Sequence, residues 1–429
     1  MREPKREVFW YTLASAESRP PLCENLTRDA VVIGGGITGL SAAQRLHEAG
    51  LSVVLLEKEF CGAGASGKSS GFITPDSELE LGQLIRRFGP EKAKALWEFA
   101  ISGVEQIRKN IQGFRIECDY EAQDSLFAAN TTKEFADVAE EYAARERLGY
   151  ASTLYQKKDM RRVLGSMGYK GAVRYPDTFG IISYLYCRAM RDVLLKKGVA
   201  VYENTPVVRI TNNSADTPRG SVKADAVILA ADRFTPELGQ LPKTVYHAQT
   251  FLMVSAPLSG AEVKVVFPER PLMVWDTDLV YQYYRLIRDN RLLLGGGSVL
   301  HTYAKKETSH APGIRRKLVS YFARKFPQVS VRWEYIWPGL IGITKDLLPI
   351  AGQDERMANV YYAGAAAGLP WSAAAGRYIA EKIVGRRSDY DLFFSPRRSF
   401  FVSDSAQTFI GTKAAFGLSN LWSKYYEKE

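Results

Sequence analysis

One stretch near the start of the chain, residues 29–58, limits the possible folds more than any other: DAVVIGGGITGLSAAQRLHEAGLSVVLLEK. Apolar runs over 30–33 and 52–56 predict two buried strands, and the amphipathic segment 40–48 between them predicts a helix. A GxGxxG pattern joins the first strand to the helix, and an acidic residue follows the second strand. This order predicts a βαβ unit that binds a dinucleotide.

Each residue type in this unit has a physical reason. Gly34 permits the sharp turn out of the strand, Gly36 lets the backbone approach a pyrophosphate, and Gly39 lets the helix pack closely on the strand. The helix N-terminus offers N–H groups and a positive dipole end to the phosphates. Glu57 is placed to accept hydrogen bonds from a ribose hydroxyl, and its charge disfavours NADP. The alternative is a glycine-rich turn in an unrelated α/β protein.

The composition is that of a globular protein with room for two domains. The chain has 429 residues, of which 46% are hydrophobic and 24% charged. Its four cysteines and four histidines do not cluster, so we expect no metal site and a reducing compartment. The N-terminus lacks the apolar core of a signal peptide, and no apolar run approaches the roughly 20 residues that cross a bilayer. We therefore expect a cytoplasmic protein, at most attached to a membrane surface.

Much of the net charge of +10 comes from residues 305–326. Apolar residues recur there at helical spacing, which leaves the basic residues on the opposite face; they are Ile314, Leu318, Phe322 and Phe326. This face could bind nucleic acid, acidic lipid or an acidic partner, but we favour a solvated helix face.

Further α/β signals lie far apart, at 190–210, 222–238 and 359–385. Between them, residues 243–300 are rich in β-branched and aromatic residues and predict antiparallel strands, two of them joined near Asp289-Asn290. We predict an α/β protein: a Rossmann-like nucleotide-binding domain built from discontinuous segments, with an inserted α+β substrate domain that contains an antiparallel sheet. The predicted boundaries are 1–26 for an N-terminal lead-in, 27–90, 155–240 and 338–394 for the nucleotide-binding domain, 91–154 and 241–337 for the substrate domain, and 395–429 for a C-terminal amphipathic appendage.

Motifs at both ends of the chain extend the pattern. A small-residue loop, CGAGASGKSSGF (61–72), follows the βαβ unit, and WPGLIGITKDLLPIAG and NVYYAGAAAGLPWSAAAGRYIAEKI come near the C-terminus. From residue 8 to 394 the chain resembles the FAD-dependent oxidoreductases of the D-amino-acid oxidase, glycine oxidase and sarcosine oxidase superfamily. The segments FWYTLA, ITGLSAA, AADRFTPEL and YYRLIRDNRLLLGGG are most similar to the gamma-glutamylputrescine oxidoreductase group.

This resemblance implies FAD in an extended pose. The adenine would lie near Val208 and the flavin ring at the turn that enters the last long helix, whose positive end would stabilise reduced flavin. We expect non-covalent binding, because Cys61 lies at the wrong end of its loop to act as a tether. The implied cofactor-binding residues are Gly34, Gly36, Ile37, Thr38, Gly39, Glu57, Lys58, Gly64, Ala65, Ser66, Gly67, Val208, Ala230, Gly364, Gly368, Leu369 and Pro370.

Three residues are candidates for catalysis or substrate contact. Tyr283 and Arg285 share one face of a predicted strand, where the arginine could clamp a substrate carboxylate. An arginine paired with Asp276 or Asp278 is the alternative. Lys68, in the small-residue loop, would favour reduced flavin through its charge. Weaker candidates are Trp371, His247 and His301.

The resemblance implies oxidation of a C–N bond in an amine or amino acid, with hydride transfer to the flavin and hydrolysis of the imine. The electron acceptor is either oxygen or a quinone or carrier. In sarcosine-oxidase-like relatives a lysine over the flavin promotes the reaction with oxygen, and this chain has Leu292–Leu294 in that strand, which opens the second choice. A membrane-associated dehydrogenase is one alternative. One face of the last helix could then contact a membrane, although we expect this face to dock on the body of the protein. Its residues are Leu418, Leu421, Trp422 and Tyr425.

Three other classes remain open from the sequence: a tRNA-modifying flavoenzyme, a pyridine-nucleotide dehydrogenase and a non-catalytic flavoprotein. We expect no nucleic-acid partner.

Overall fold

The computed structural model describes residues 3–14, 18–76, 78–297, 303, 307–308, 311–366, 368–386 and 390–425. The strands in these ranges are β1 Asn25–Ile33, β2 Val53–Leu56, β3 Phe72–Ile73, β4 Glu121–Ala122, β5 Asp124–Ala128, β6 Thr153–Gln156, β7 Gly171–Tyr175, β8 Phe179–Gly180, β9 Ala200–Tyr202, β10 Arg209–Ile210, β11 Ser214–Asp216, β12 Ser221–Leu229, β13 Tyr246–Ser255, β14 Leu272–Asp276, β15 Tyr283–Ile287, β16 Arg291–Gly296, β17 Trp333–Ile343, β18 Ile350–Gln353 and β19 Val360–Gly364.

The α-helices of the same ranges are α1 Ile37–Glu48, α2 Ala65–Lys68, α3 Leu81–Phe88, α4 Pro90–Phe114, α5 Phe135–Leu148, α6 Met160–Leu164, α7 Ser183–Lys196, α8 Gly260–Val266, α9 Pro312–Lys325, α10 Leu369–Ile383, α11 Asp391–Phe394, α12 Asp404–Ile410 and α13 Thr412–Tyr425. Short 3₁₀ helices cover Phe9–Thr12, Lys157–Asp159 and Asp232–Leu238.

A largely parallel sheet carries the βαβ unit. Six of its eight strands follow the order β9–β2–β1–β12–β19–β18, and β18 alone among these six is antiparallel to its neighbour. The other two, β10 and β11, form an antiparallel extension that pairs with β12. Ala30 in β1 pairs with Val53 on one side and with Ala226 on the other. The carboxyl ends of β1, β2 and β12 therefore meet at one edge of the sheet, which brings the glycine turn, Glu57 and Ala230 together. The predicted α/β class is confirmed.

Three helices that border this sheet approach one another backbone to backbone. A Cβ on Gly376 of α10 would lie 2.1 Å from the carbonyl oxygen of Thr38 in α1. A Cβ on Gly103 of α4 would lie 1.9 Å from the carbonyl oxygen of Pro370 in α10. Because these contacts need glycine, they fix where α1 and α10 begin relative to each other.

The second large sheet has the order β17–β13–β16–β15–β14–β5–β7–β6 and is antiparallel except between β14 and β5. The predicted hairpin is confirmed as β15 and β16. Asp289 and Asn290 form its turn with positive φ values of 57° and 52°, as a type I′ turn requires.

Strand pairing departs from the predicted domain boundaries in two places. β6 and β7 pair within the antiparallel sheet, although most of their residues fall in 155–240 of the predicted nucleotide-binding domain. β17 belongs to the same sheet and crosses the predicted boundary at residue 338. Alternation of apolar residues predicts a strand but does not tell which sheet it joins. The remaining boundaries stay a prediction.

The basic segment 305–326 forms α9 from Pro312, and its predicted apolar face is confirmed. Residues 305–306 and 309–310 lie outside the described residues. The buried side chains of this face are Ile314, Leu318, Phe322 and Phe326.

The C-terminal helix α13 packs on the body, but not with the predicted face. Phe416 is buried, and the Asn420 amide donates to the carbonyl oxygens of Thr344 and Lys345, both at 2.9 Å. Trp422 of the predicted face stacks on Phe401 at 4.7 Å. The polar bonds of Asn420 orient the helix and leave three residues of the predicted face exposed: Leu418, Leu421 and Tyr425. Throughout the described ranges, every helix is too short or too polar to cross a bilayer.

Candidate active site

A cavity of about 780 Å³ lies at the carboxyl edge of the parallel sheet. Open α/β sheets bind ligands at this edge, and the volume is in the range of small-molecule sites. One wall is formed by the turn after β1, the end of β2 and the end of β12, and the opposite wall includes β15. The predicted site residues that line the cavity are Gly34, Gly36, Thr38, Glu57, Lys58, Gly64, Ala65, Ser66, Lys68, Val208, Ala230, Tyr283, Gly368 and Leu369.

The glycine turn is shaped by two backbone contacts. Gly34 has φ +113°, and a Cβ there would lie 2.4 Å from the carbonyl oxygen of Ala230. Gly39 does not line the cavity, but its Cβ would lie 1.9 Å from the carbonyl oxygen of Gly34. A side chain at either position would push β1, β12 and α1 apart.

The N-terminus of α1 lies at the wall of this cavity. The first N–H groups of an α-helix lack partners within the helix, and they carry its positive dipole end. Ser66 takes one of them, since the Ile37 N–H donates to Ser66 Oγ at 3.0 Å. Ile37 itself does not line the cavity, whereas Gly36 and Thr38 do.

The Glu57 carboxylate is held in place at the end of β2. It accepts hydrogen bonds from the N–H of Gly35 at 2.6 Å and from the N–H of Glu59 at 2.9 Å. Burial raises its pKa, and these two bonds oppose the shift. Lys58 lies beside it, with Nζ 3.5 Å from the centre of the Phe234 ring. A ribose hydroxyl could donate to the fixed carboxylate.

The small-residue loop closes another side of the cavity through the short helix α2. Gly67 does not line the cavity. It lets the loop fold tightly, since a Cβ there would lie 1.8 Å from the carbonyl oxygen of Gly62. The loop is anchored by Trp337, whose Nε1 donates to the Lys68 carbonyl at 3.0 Å. Lys68 Nζ lies 3.3 Å from the Glu307 carboxylate, so its charge is paired.

Helix α10 begins at the wall of the same cavity. Gly368, with φ +105°, makes the turn into it, and Leu369 is its first residue. Two predicted residues of this region do not line the cavity: Pro370 and Gly364. Trp371 is a packing residue, since it is buried and its Nε1 donates to the Pro75 carbonyl at 2.8 Å.

The structure contradicts the prediction that Arg285 clamps a substrate carboxylate. Arg285 is 1% exposed and does not line the cavity. Its Nε donates to the Ser70 carbonyl at 2.9 Å and its Nη2 to the Ile181 carbonyl at 2.6 Å. Burial lowers its pKa to about 10. Arg285 therefore holds the loop around Ser70 in place through backbone carbonyls. Its guanidinium donates hydrogen bonds to neither Asp276 nor Asp278, so the predicted alternative is not seen either.

Tyr283, on the same strand, lines the cavity, and burial raises its pKa to about 12. His247 does not line it. His301 lies outside the described residues.

Sequence reasoning missed an acidic and aromatic part of the cavity wall. Asp76 and Glu78 follow the small-residue loop in TPDSELE and line the cavity with Tyr281 and Trp275. Two carboxylates directly after the small-residue loop are a usable signal. Their contact with residues about 200 positions later was not visible in the sequence.

A buried charge cluster lies behind Asp76. Carboxylate oxygens of Asp76, Glu80 and Glu141 all lie within 4.8 Å of one another, a spacing that a metal ion could use. Arg145 Nε lies 2.8 Å from Glu141, and its Nη2 lies 3.4 Å from Asp76. Burial raises the pKa of all three acids, that of Glu141 to about 7.

The cavity walls fit an extended dinucleotide. The glycine turn leaves a cradle without side chains, α1 offers its N-terminus to the phosphates, and Glu57 can accept from a ribose. The cavity then continues to the N-terminus of α10 and to Tyr283, which is where a flavin ring would extend.

Comparisons with known proteins agree with this geometry. The family model DAO, "FAD dependent oxidoreductase", matches residues 29–382. The chain is 31% identical to gamma-glutamylputrescine oxidoreductase of Escherichia coli, over 89% of this chain and 90% of that protein. It is 29% identical to the probable oxidoreductase OrdL of Haemophilus influenzae, over 87% of each. The fold is similar to that of glycine oxidase from Geobacillus kaustophilus, with a TM-score of 0.75, 21% identity and coverage of 87% of this chain and 100% of that one.

Proposed function

Since this chain belongs to the DAO family of FAD-dependent oxidoreductases, we propose that it oxidises a C–N bond of an amine or amino acid. One observation carries the proposal: a single cavity joins the glycine turn of the βαβ unit to Tyr283 and to the start of α10. The names of its relatives support it, because gamma-glutamylputrescine oxidoreductase and glycine oxidase both act on nitrogen compounds.

Bound FAD supplies a two-electron acceptor: the substrate loses a hydride from the carbon beside its nitrogen and a proton from the nitrogen, and water hydrolyses the imine to a carbonyl compound and ammonia or an amine. Tyr283 and Phe72 pack at 5.8 Å between ring centres and give this end of the cavity an aromatic wall. The start of α10 stabilises negative charge there. Asp76 lines the same cavity with a raised pKa, which suits it to take up the proton of an ammonium.

The test is a screen of amines and amino acids for anaerobic bleaching of the flavin in the purified protein. We expect at least one compound of this class to bleach the flavin at 450 nm, and dithionite serves as the positive control. Bleaching by dithionite alone would contradict the proposal and favour a non-catalytic flavoprotein.

We propose oxygen, or a quinone or carrier, as the electron acceptor. Leu292, Leu293 and Leu294 of β16 are uncharged and fully buried, so this strand offers no cation at the position where the oxidase relatives have a lysine. The exposed side chains of α13 support a peripheral membrane contact, which suits a quinone. Admitting air and then a soluble quinone to the bleached protein separates the two acceptors.

Acid denaturation should release the flavin into the supernatant. Among the described residues, none that lines the cavity is a cysteine or histidine. Cys61 is fully buried away from it, and burial raises the pKa of its thiol well above the usual range. The measurement is the absorbance at 450 nm of the supernatant and of the redissolved pellet, and we expect nearly all of it in the supernatant. A yellow pellet would show a covalent bond.

A further inference from the structure

The substrate end of the cavity has aromatic walls. The rings of Tyr281 and Tyr283 lie 5.7 Å apart, and Phe72 lies 5.8 Å from Tyr283 and 6.5 Å from Trp275. Aromatic faces attract ammonium groups within about 6 Å of the ring centre. These walls therefore suit an organic cation.

Carboxylates accompany these rings. Glu78 lines the cavity and accepts a hydrogen bond from the Tyr281 hydroxyl at 3.1 Å. Glu78, Tyr281 and Trp275 also line a second cavity of about 70 Å³, room for an ammonium group and little more. The wall of this second cavity carries seven acidic and two basic residues, an excess of acidic groups that favours a cation.

A partner for a substrate carboxylate is missing from this end of the described wall. Among the described residues that line the large cavity, Arg233 is the single arginine, and it lies over Phe234 beside Lys58, at the Glu57 end and not at the aromatic end. Arg285 is turned away under the Ser70 loop, and Lys68 is paired with Glu307.

An ammonium group of the protein itself occupies the junction of the two cavities. Lys424 Nζ lies 3.3 Å from Glu78 Oε2, 3.3 Å from the Leu279 carbonyl and 5.5 Å from the centre of the Tyr281 ring. A carboxylate, a carbonyl and an aromatic face here already hold an alkylammonium group at the end of a methylene chain.

We propose that the substrate is a diamine or polyamine and that Glu78 determines this preference. This proposal rests on the amine oxidation proposed above. One nitrogen is oxidised in the large cavity. The second, as ammonium, binds Glu78 and the Tyr281 ring at the junction, where it takes the place of Lys424.

The test compares three compounds in anaerobic flavin reduction by the holoenzyme: a four-carbon terminal diamine, the matching monoamine, and the amino acid in which a carboxylate replaces one ammonium. Below saturation we expect the diamine to react at least about tenfold faster than the monoamine, and the amino acid slowest. Equal rates for diamine and monoamine would overturn the inference. Failure of all three, with dithionite still active, would count against the amine oxidation itself.

Two variants assign the effect to the junction. Glu78→Gln should lower the diamine rate much more than the monoamine rate, so that the ratio of the two rates falls to about one. Lys424→Met should lower the KM for the diamine several-fold, because it removes the competing ammonium. Glu355→Gln, which affects an exposed carboxylate paired with Arg397, is the control and should change neither rate.

A binding measurement without turnover completes the test. A quaternary diammonium salt has no nitrogen lone pair, so it cannot form an imine. Calorimetry should give binding of this salt to the holoenzyme at least about tenfold tighter than that of its monocationic analogue, and the difference should disappear in Glu78→Gln. Equal binding of the two salts would contradict a cation site at Glu78.

Discussion

Gly39→Ala should yield a protein that retains little or no flavin. The new Cβ would lie 1.9 Å from the carbonyl oxygen of Gly34, so α1 must move away from β1 by about 1 Å. That shift displaces the N-terminus of α1 from the cradle that Gly34 and Gly36 form. Overpacking of this kind costs about 1–3 kcal/mol of unfolding free energy, and we expect FAD affinity to fall by more than about tenfold. The ratio of absorbance at 450 and 280 nm and a titration with FAD measure the effect.

Gly113→Ala is a matched control, since Gly113 also lies within a helix but its Cβ would meet no atom within 4 Å. It should keep its flavin and gain up to about 1 kcal/mol of stability, because alanine is the better helix former. A Gly39→Ala protein with normal flavin content would mean that the turn has more freedom than its contacts allow.

This turn was predictable from the sequence because its determinants are local. Strand, glycines and helix lie within about 30 residues. Gly39 packs against Gly34 of the same turn, and Gly34 packs against Ala230, directly after β12. The hairpin of Asp289 and Asn290 was predictable for the same reason, since its turn type is set by two adjacent residues.

Arg285 shows where local reasoning ends. Strand alternation correctly places it on the face of Tyr283. Segments far away in the sequence cover that face. The carbonyls of Ser70 and Ile181 accept hydrogen bonds from the guanidinium. A pattern of period two cannot report which distant segment lies above a strand.

The prediction of which face of the last helix packs on the body was wrong for a similar reason. Both of its faces contain apolar residues, and periodicity favours the one with Leu418 and Leu421. Asn420 decides the outcome, because its amide finds two backbone carbonyls that would otherwise be buried. Glu78 and Tyr281 likewise meet only through the fold, 203 positions apart.

The second large effect concerns the charge cluster behind Asp76. Arg145 is 3% exposed at its side chain and is the cation between Asp76 and Glu141. Its guanidinium also lies 3.2 Å from the centre of the Tyr175 ring, whose hydroxyl donates to Glu80 at 3.0 Å. Buried carboxylates that lose a cation in contact with them cannot be rehydrated without opening the structure.

Arg145→Met should therefore lower the free energy of unfolding by about 3–5 kcal/mol. Thermal unfolding would record a drop in Tm of about 5 °C, because the unfolding entropy of a chain of this length is large. Arg162→Met is the control: Arg162 is mostly exposed and pairs with Glu269 at the surface, so its loss should cost less than about 1 kcal/mol.

The pH dependence separates this electrostatic cause from a loss of packing. Without Arg145 the pKa values of Asp76, Glu80 and Glu141 rise further, so the folded variant binds more protons than the unfolded chain. Its stability must then fall as the pH rises through those pKa values. We expect a smaller loss at about pH 5.5 than at about pH 8, because protonation neutralises the acids at the lower pH. A double variant with Glu141→Gln should recover part of the loss, since one uncompensated charge is removed. A destabilisation that is the same at both pH values and unchanged by Glu141→Gln would show that Arg145 acts only by filling space over Trp97 and Tyr175.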